Sequence, residues 1–115
     1  MNTRQKGNRG EESAIEYLLQ SGYSIITRNY QARNGEIDCV AQDPNGTLVF
    51  VEVKSGYSSG LGHPLFRVTK AKQASLKKMA MLYLYEHAIT NKPCRFDVIA
   101  LVNGKIEHLK NAFLV

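Results

Sequence analysis

Apolar residues recur along this chain at two different spacings, and each change of spacing marks an element boundary. Between Gly10 and Ser21, Ala14, Ile15, Leu18 and Leu19 fall on one face of a helix that Gly22 should stop. Residues Tyr23 to Tyr30, rich in Ile and Tyr, read as a strand, and Arg33-Asn34-Gly35 as the turn after it. Two alternating strands follow, Glu36 to Asp43 and Thr47 to Lys54. The Gly- and Ser-rich stretch from Ser55 to Pro64 reads as a mobile loop able to close over whatever binds nearby. Thr69 can cap a second helix reaching to about Thr90, with lysines in its first half. From Met79 to Tyr85 that helix is apolar almost all round, which predicts burial against a sheet. Cys94 to Val102 and Lys105 to Leu109 form a closing hairpin around Asn103-Gly104. The predicted order is α-β-β-β-α-β-β.

The loop between the two alternating strands sets their register. Pro44-Asn45-Gly46 suits a three-residue hairpin, with Pro fixing φ at the first position and Gly accepting the left-handed conformation at the last. Asp43 then faces Thr47, Asp38 faces Glu52 and Glu36 faces Lys54. Along Thr47 to Lys54, Val49, Val51 and Val53 point one way, while Leu48, Phe50, Glu52 and Lys54 point the other. Two carboxylates directly opposed across a ladder destabilise it unless something neutralises them, and a hard cation does so. Carboxylates plus water and phosphate oxygens make the kind of site Mg²⁺ prefers. A half-exposed strand with a merely polar outward face is the plain alternative.

Composition narrows the class. The 115 residues, 43% apolar and 22% charged, suit one domain over 1–115 that needs neither disulfides nor a structural metal. Cys39 and Cys94 sit in alternating segments and read as reduced core thiols. No apolar run approaches the roughly 20 residues of a spanning helix and no signal segment is visible, so a cytoplasmic protein is expected. The formal charge of +5 favours an anionic partner, and its distribution sharpens that expectation. No carboxylate lies between Glu52 and Glu86, a span holding Lys54, Arg67, Lys70, Lys72, Lys77 and Lys78. Arg4, Lys6 and Arg9 precede the first acid, in a segment 1–9 that reads as a flexible basic tail. Arg67, Lys70, Lys72, Lys77, Lys78 and Arg9 are therefore the candidate phosphate-gripping cations.

Gly35-Glu-Ile-Asp38 followed by Phe50-Val-Glu-Val-Lys54 resembles the PD-(D/E)XK superfamily of restriction-endonuclease-like nucleases, and more closely its small bacterial YraN-like family. The likeness extends to Gly10-Glu11-x-x-Ala14, Arg28-Asn29, Val68-Thr69-x-x-Lys72-Gln73, Arg95-Phe-Asp-Val98 and Asn111-Ala-Phe113. It implies an α/β fold with an αβββαβ core, a mixed central sheet flanked by helices, and here an extra C-terminal strand. By resemblance, Asp38 and Glu52 are metal-binding acids, Glu11 the helix-borne acid that completes many such sites, and Lys54 the catalytic lysine. Glu36 is then a partner of Lys54 or a supporting group, and Gln73 a polar neighbour of the site. Mg²⁺ or Mn²⁺ is the implied cofactor, DNA the implied substrate, branched as in the similar Holliday-junction resolvases, and a homodimer one implied assembly. A non-catalytic nucleic-acid-binding module on the same fold is the alternative. The chain departs from the superfamily pattern at Ile37-Asp38, where Pro-Asp is common, and at Gly56, where an Arg is expected. Elsewhere, Asp97 reads as structural, His63 as a loop residue, His87 and His108 as surface, and Tyr83 and Tyr85 as core.

Overall fold

The computed structural model describes residues 3–33, 35–56 and 67–113, with backbone alone for residues 3–9. Its order is α1 (Thr3–Gln20), β1 (Ser24–Ala32), β2 (Gly35–Gln42), β3 (Leu48–Gly56), α2 (Lys70–Glu86), β4 (Cys94–Val102) and β5 (Lys105–Leu109). The strands form one sheet in sequence order, antiparallel except for the parallel pair β3–β4, whose crossover contains α2. This is the expected mixed α/β sheet with a helix on each face and an additional last strand.

Each face has its own core. On one, Ala14 and Leu18 of α1 pack with Tyr23, Cys39, Ala41, Val49, Val51 and Ile99. On the other, Leu76, Met79, Ala80 and Tyr83 of α2 pack with Ile37, Val40, Leu48, Phe50, Phe96 and Phe113. The split of Val49 and Val51 from Leu48 and Phe50 follows the alternation read from sequence. So does the register: Cys39 pairs with Val51, Ala41 with Val49 and Gln42 with Leu48, as the three-residue loop requires. Gly46 takes φ 90°, and Asp43 N–H donates to the Thr47 carbonyl at 2.9 Å.

Two helix boundaries and one burial pattern differ from expectation. The first helix starts at Thr3 rather than Gly10, so Glu11 and Glu12 lie well inside it and gain nothing from a helix start. Gly10 is instead a point of close approach, because a Cβ there would stand 2.2 Å from Ser55 Oγ on β3. Glycine in a helix interior costs about 0.5–1 kcal/mol relative to Ala; here it lets α1 lie against the end of β3. The second helix stops at Glu86, where Ile89 N–H bonds the Leu84 carbonyl and Ala88 takes φ 51°. That closure normally uses Gly, so an Ala in its place leaves no signal in the sequence. Finally, the stretch Met79 to Tyr85 is not buried all round: Met81 is 70% and Tyr85 85% exposed. A single sheet covers one stripe of α2, and nothing among the described residues covers the other. β3 runs on to Gly56, so the first two residues of the expected loop are strand, and its remainder, residues 57–64 with His63, lies outside the described residues.

Candidate metal centre

The alternation of β2 breaks at Asp38. Ile37 and Val40 both join the α2-side core, whereas Cys39 and Ala41 join the α1-side core. A regular strand would put Ile37 with Cys39. On the adjoining strand, Asn29 is left-handed at φ 53°, between Arg28, which pairs with Cys39, and Tyr30, which pairs with Ile37. The two strands thus turn over together at this point.

The break opens the seam between β2 and β3. Hydrogen-bonded pairs in an antiparallel ladder recur every second residue, so the Asp43–Thr47 pair predicts that Val53 N–H should meet the Ile37 carbonyl. Val53 N–H donates instead to Asp38 Oδ2 at 2.8 Å. A carboxylate has taken a backbone carbonyl's place, and it sits in the seam with access to groups from both sides.

Three acids converge there, and a fourth, Glu52, adjoins one of them. Carboxylate oxygens of Glu11, Glu36 and Asp38 all lie within 4.8 Å of one another. Glu52 adjoins Asp38, close enough to raise its carboxyl. Burial first, and then this contact with Glu52, push the Asp38 carboxyl up to about 7, although Val53 N–H and Lys72 pull it the other way. Glu11 is raised too, first by burial and then by Asp38 and Glu36, against the pull of Arg28. Glu52 Oε2 is buried with no hydrogen-bond partner. Lys72 Nζ stands 3.4 Å from that atom, near enough for Coulomb attraction, but it makes no hydrogen bond to it. Hard oxygens at this spacing, with one buried oxygen unsatisfied, fit a divalent cation of the Mg²⁺ or Mn²⁺ type.

The structure therefore brings Glu11 and Asp38 together as expected and adds Glu36 as a direct member rather than a partner of Lys54, while Glu52 adjoins Asp38 and stands outside that set of three. Lys54 shares the face of Glu52 but donates to the Arg67 carbonyl at 2.8 Å. The ammonium beside Glu52 is Lys72, in the first turn of α2, where Thr69 Oγ1 accepts from Lys72 N–H and fixes the helix start. Gln73 Nε2 donates to the Val68 carbonyl at 2.8 Å. Arg67, Lys70 and Lys78 are exposed and Lys77 is half-buried. The side chain of Arg9 lies outside the described residues, as do those of Arg4 and Lys6. Cys39 is buried, as expected, whereas Cys94 is only partly so.

A second ionic cluster occupies the other end of the α1 side. Asp97 accepts from Arg95 at 3.0 Å, from Asn111 N–H at 3.0 Å and pairs with His108 Nε2 at 2.7 Å. Arg95 also reaches Asp43 at 2.6 Å and the Tyr23 hydroxyl at 2.8 Å, and His108 Nδ1 meets the Tyr17 hydroxyl at 2.9 Å. Asp97 is structural, as read. His108 is not surface: it is enclosed between Asp97, Tyr17 and Tyr23. The hint was its place on β5, next to the strand's last position, facing the α1 layer.

Residues 10–101 match the model of a family described as "Uncharacterised protein family UPF0102". A UPF0102 protein of Persephonella marina is 48% identical over 108 residues, covering 94% of this chain and 92% of that protein. Relatives of the same description in Symbiobacterium thermophilum and Thermodesulfovibrio yellowstonii are each 45% identical, over 96% and 93% of this chain and 98% and 94% of their own lengths. No helix among the described residues is long and apolar enough to cross a membrane.

Proposed function

Since the chain belongs to the UPF0102 family, we propose from its own side chains that it is a metal-dependent nuclease of the PD-(D/E)XK kind that hydrolyses DNA phosphodiesters. The observation that carries this reading is the set of three converging carboxylates, Glu11, Glu36 and Asp38, with Glu52 Oε2, buried and without a hydrogen-bond partner, on the residue beside Asp38. A buried carboxylate oxygen left without a hydrogen bond is costly, and carboxyls raised by burial and like charge cluster at functional sites.

Asp38, shared between Glu52 on one side and Glu11 with Glu36 on the other, would hold the cation, with the outer acids completing the set. A bound divalent ion supplies neutralisation of the scissile phosphate and acidifies a coordinated water. The remaining carboxylate oxygens orient that water by accepting its hydrogens. Lys72 is placed to donate to a phosphate oxygen beside Glu52. Lys54 joins it on exchanging the Arg67 carbonyl for a phosphate, a substitution that gains a charge-assisted hydrogen bond. Lys70 and Arg67, exposed at the same helix start, hold the flanking phosphates.

The test is cleavage of labelled duplex, flap, four-way-junction and single-stranded DNA with Mg²⁺, Mn²⁺ or EDTA. Cleavage that requires the metal and disappears in Asp38→Asn is the expected result. The present position of Lys54 favours one alternative, a binding module without chemistry, which would bind DNA with steep salt dependence and cut none of these substrates.

A further inference from the structure

The solvent face of α2 has the composition of a contact surface rather than of an idle helix. Lys70, Ala74, Met81 and Tyr85, at helical spacing, form its centre, flanked by Lys77 and Lys78. Tyr85 is 85% and Met81 70% exposed. Beside them, Ala80, Leu84, Phe50 and Phe96 line an apolar groove of about 180 Å³, with Lys77 and Met81 at its rim. The helix carries no carboxylate before Glu86. That acid is occupied, accepting from the Tyr30 hydroxyl. An apolar, aromatic strip framed only by cations complements a ligand that offers both flat rings and negative charge.

We propose that this face binds an unpaired nucleic-acid strand, with Tyr85 stacking on a base and Lys77 and Lys78 holding the adjoining phosphates. The proposal deepens the nuclease reading and rests on it for the direction of the strand. Lys72 on the same helix stands at the acids, and thirteen residues put Tyr85 about 20 Å further along and rather more than half a turn round the helix, so that a strand joining them crosses α2 obliquely. A strand running from the acids to Tyr85 needs only a few nucleotides, at the short end of the roughly 4–16 that single-strand tracks occupy. Phosphates are held by the lysines along the way, and the apolar groove receives the edge of a second unstacked base. A duplex keeps its base faces covered and gains nothing from Tyr85. The surface thus selects substrates with a single-stranded arm.

The chain contains no tryptophan, so Tyr85→Trp introduces a lone reporter. Binding of a twelve-nucleotide oligothymidine and of a duplex of equal length is followed in EDTA, where cleavage plays no part. Oligothymidine is expected to quench the Tyr85→Trp fluorescence. Tyr85→Ala is expected to weaken oligothymidine binding about tenfold and duplex binding hardly at all, with Tyr85→Phe close to the parent. Lys77→Gln with Lys78→Gln should make the salt dependence shallower by about 0.7 for each phosphate no longer held. Oligothymidine binding without quenching, or with equal weakening for duplex, would overturn the proposal and leave the nuclease reading standing. A Tyr85→Ala effect confined to self-association in sedimentation would instead assign the face to a second copy of the chain. Metal-dependent cleavage failing while quenching persists would sink the nuclease reading alone.

Discussion

Two clusters of buried or half-buried charge sit on this one sheet, and they are built in opposite ways. At one end Asp97 and Asp43 share Arg95, and Asp97 also takes His108 and the Asn111 N–H. Burial pushes both carboxyls up, but these hydrogen bonds outweigh it and hold them below the ordinary carboxylate value. At the other end Glu11, Glu36 and Asp38 meet with Glu52 beside Asp38; Arg28 and Lys72 attract these acids, but Glu52 Oε2 has no hydrogen-bond partner. There the balance falls the other way, and Asp38 rises to about 7. The difference teaches that burial by itself does not mark a site. Burial whose cost the chain leaves uncompensated does, because the missing partner must come from outside.

The comparison breaks most sharply by substitution. Asp38→Asn and Glu52→Gln should each reduce metal-dependent cleavage by at least about a hundredfold, the low end for losing one charge-stabilising group. Both should leave the metal-free protein as stable as the parent or more so at about pH 8, since each removes like-charge crowding; thermal melts decide this. Asp97→Ala should do the reverse, costing about 3–5 kcal/mol in denaturant unfolding by leaving Arg95 buried without its main partner.

Proton linkage sharpens the contrast. Asp38 is raised in the fold from 3.8 to about 7. Its contribution is present in full below about pH 4 and is lost as pH rises through about 7. Asp97 and Asp43 are lowered, so theirs is present above the unfolded carboxylate value and is lost as pH falls through the folded one. Melts of the metal-free protein should therefore decline between about pH 4 and 7, and Mg²⁺ should restore more stability at about pH 8 than at about pH 5.5. No such restoration should occur in Asp38→Asn. The smallest effect belongs to the exposed Arg28–Glu12 pair, 2.6 Å apart. Glu12→Ala should change unfolding by under about 1 kcal/mol, less in high salt.

Much of the fold was legible because local chemistry dictated it. Pro44-Asn45-Gly46 set the register as far as the Cys39–Val51 pair, just short of Asp38 and Glu52, and Asn103-Gly104 marked the last hairpin. What escaped depends on partners distant in sequence. The turnover at Asn29 and Asp38 arises between two strands, and it carries Glu36 into the acids. The rotamers that send Lys54 to Arg67 and leave Lys72 at Glu52 depend on how α2 docks. The exposure of Tyr85 follows from how few layers the fold has, which an apolar run alone does not encode.

The most direct measurement is an NMR titration with Mn²⁺ at about pH 8, in which the paramagnetic ion broadens only the amides close to it. Selective broadening at Glu11, Glu36, Asp38 and Glu52, absent in Asp38→Asn, is the expected result. Broadening spread over exposed acids such as Glu12, or the same pattern in Asp38→Asn, would show that the four carboxylates do not form a cation site.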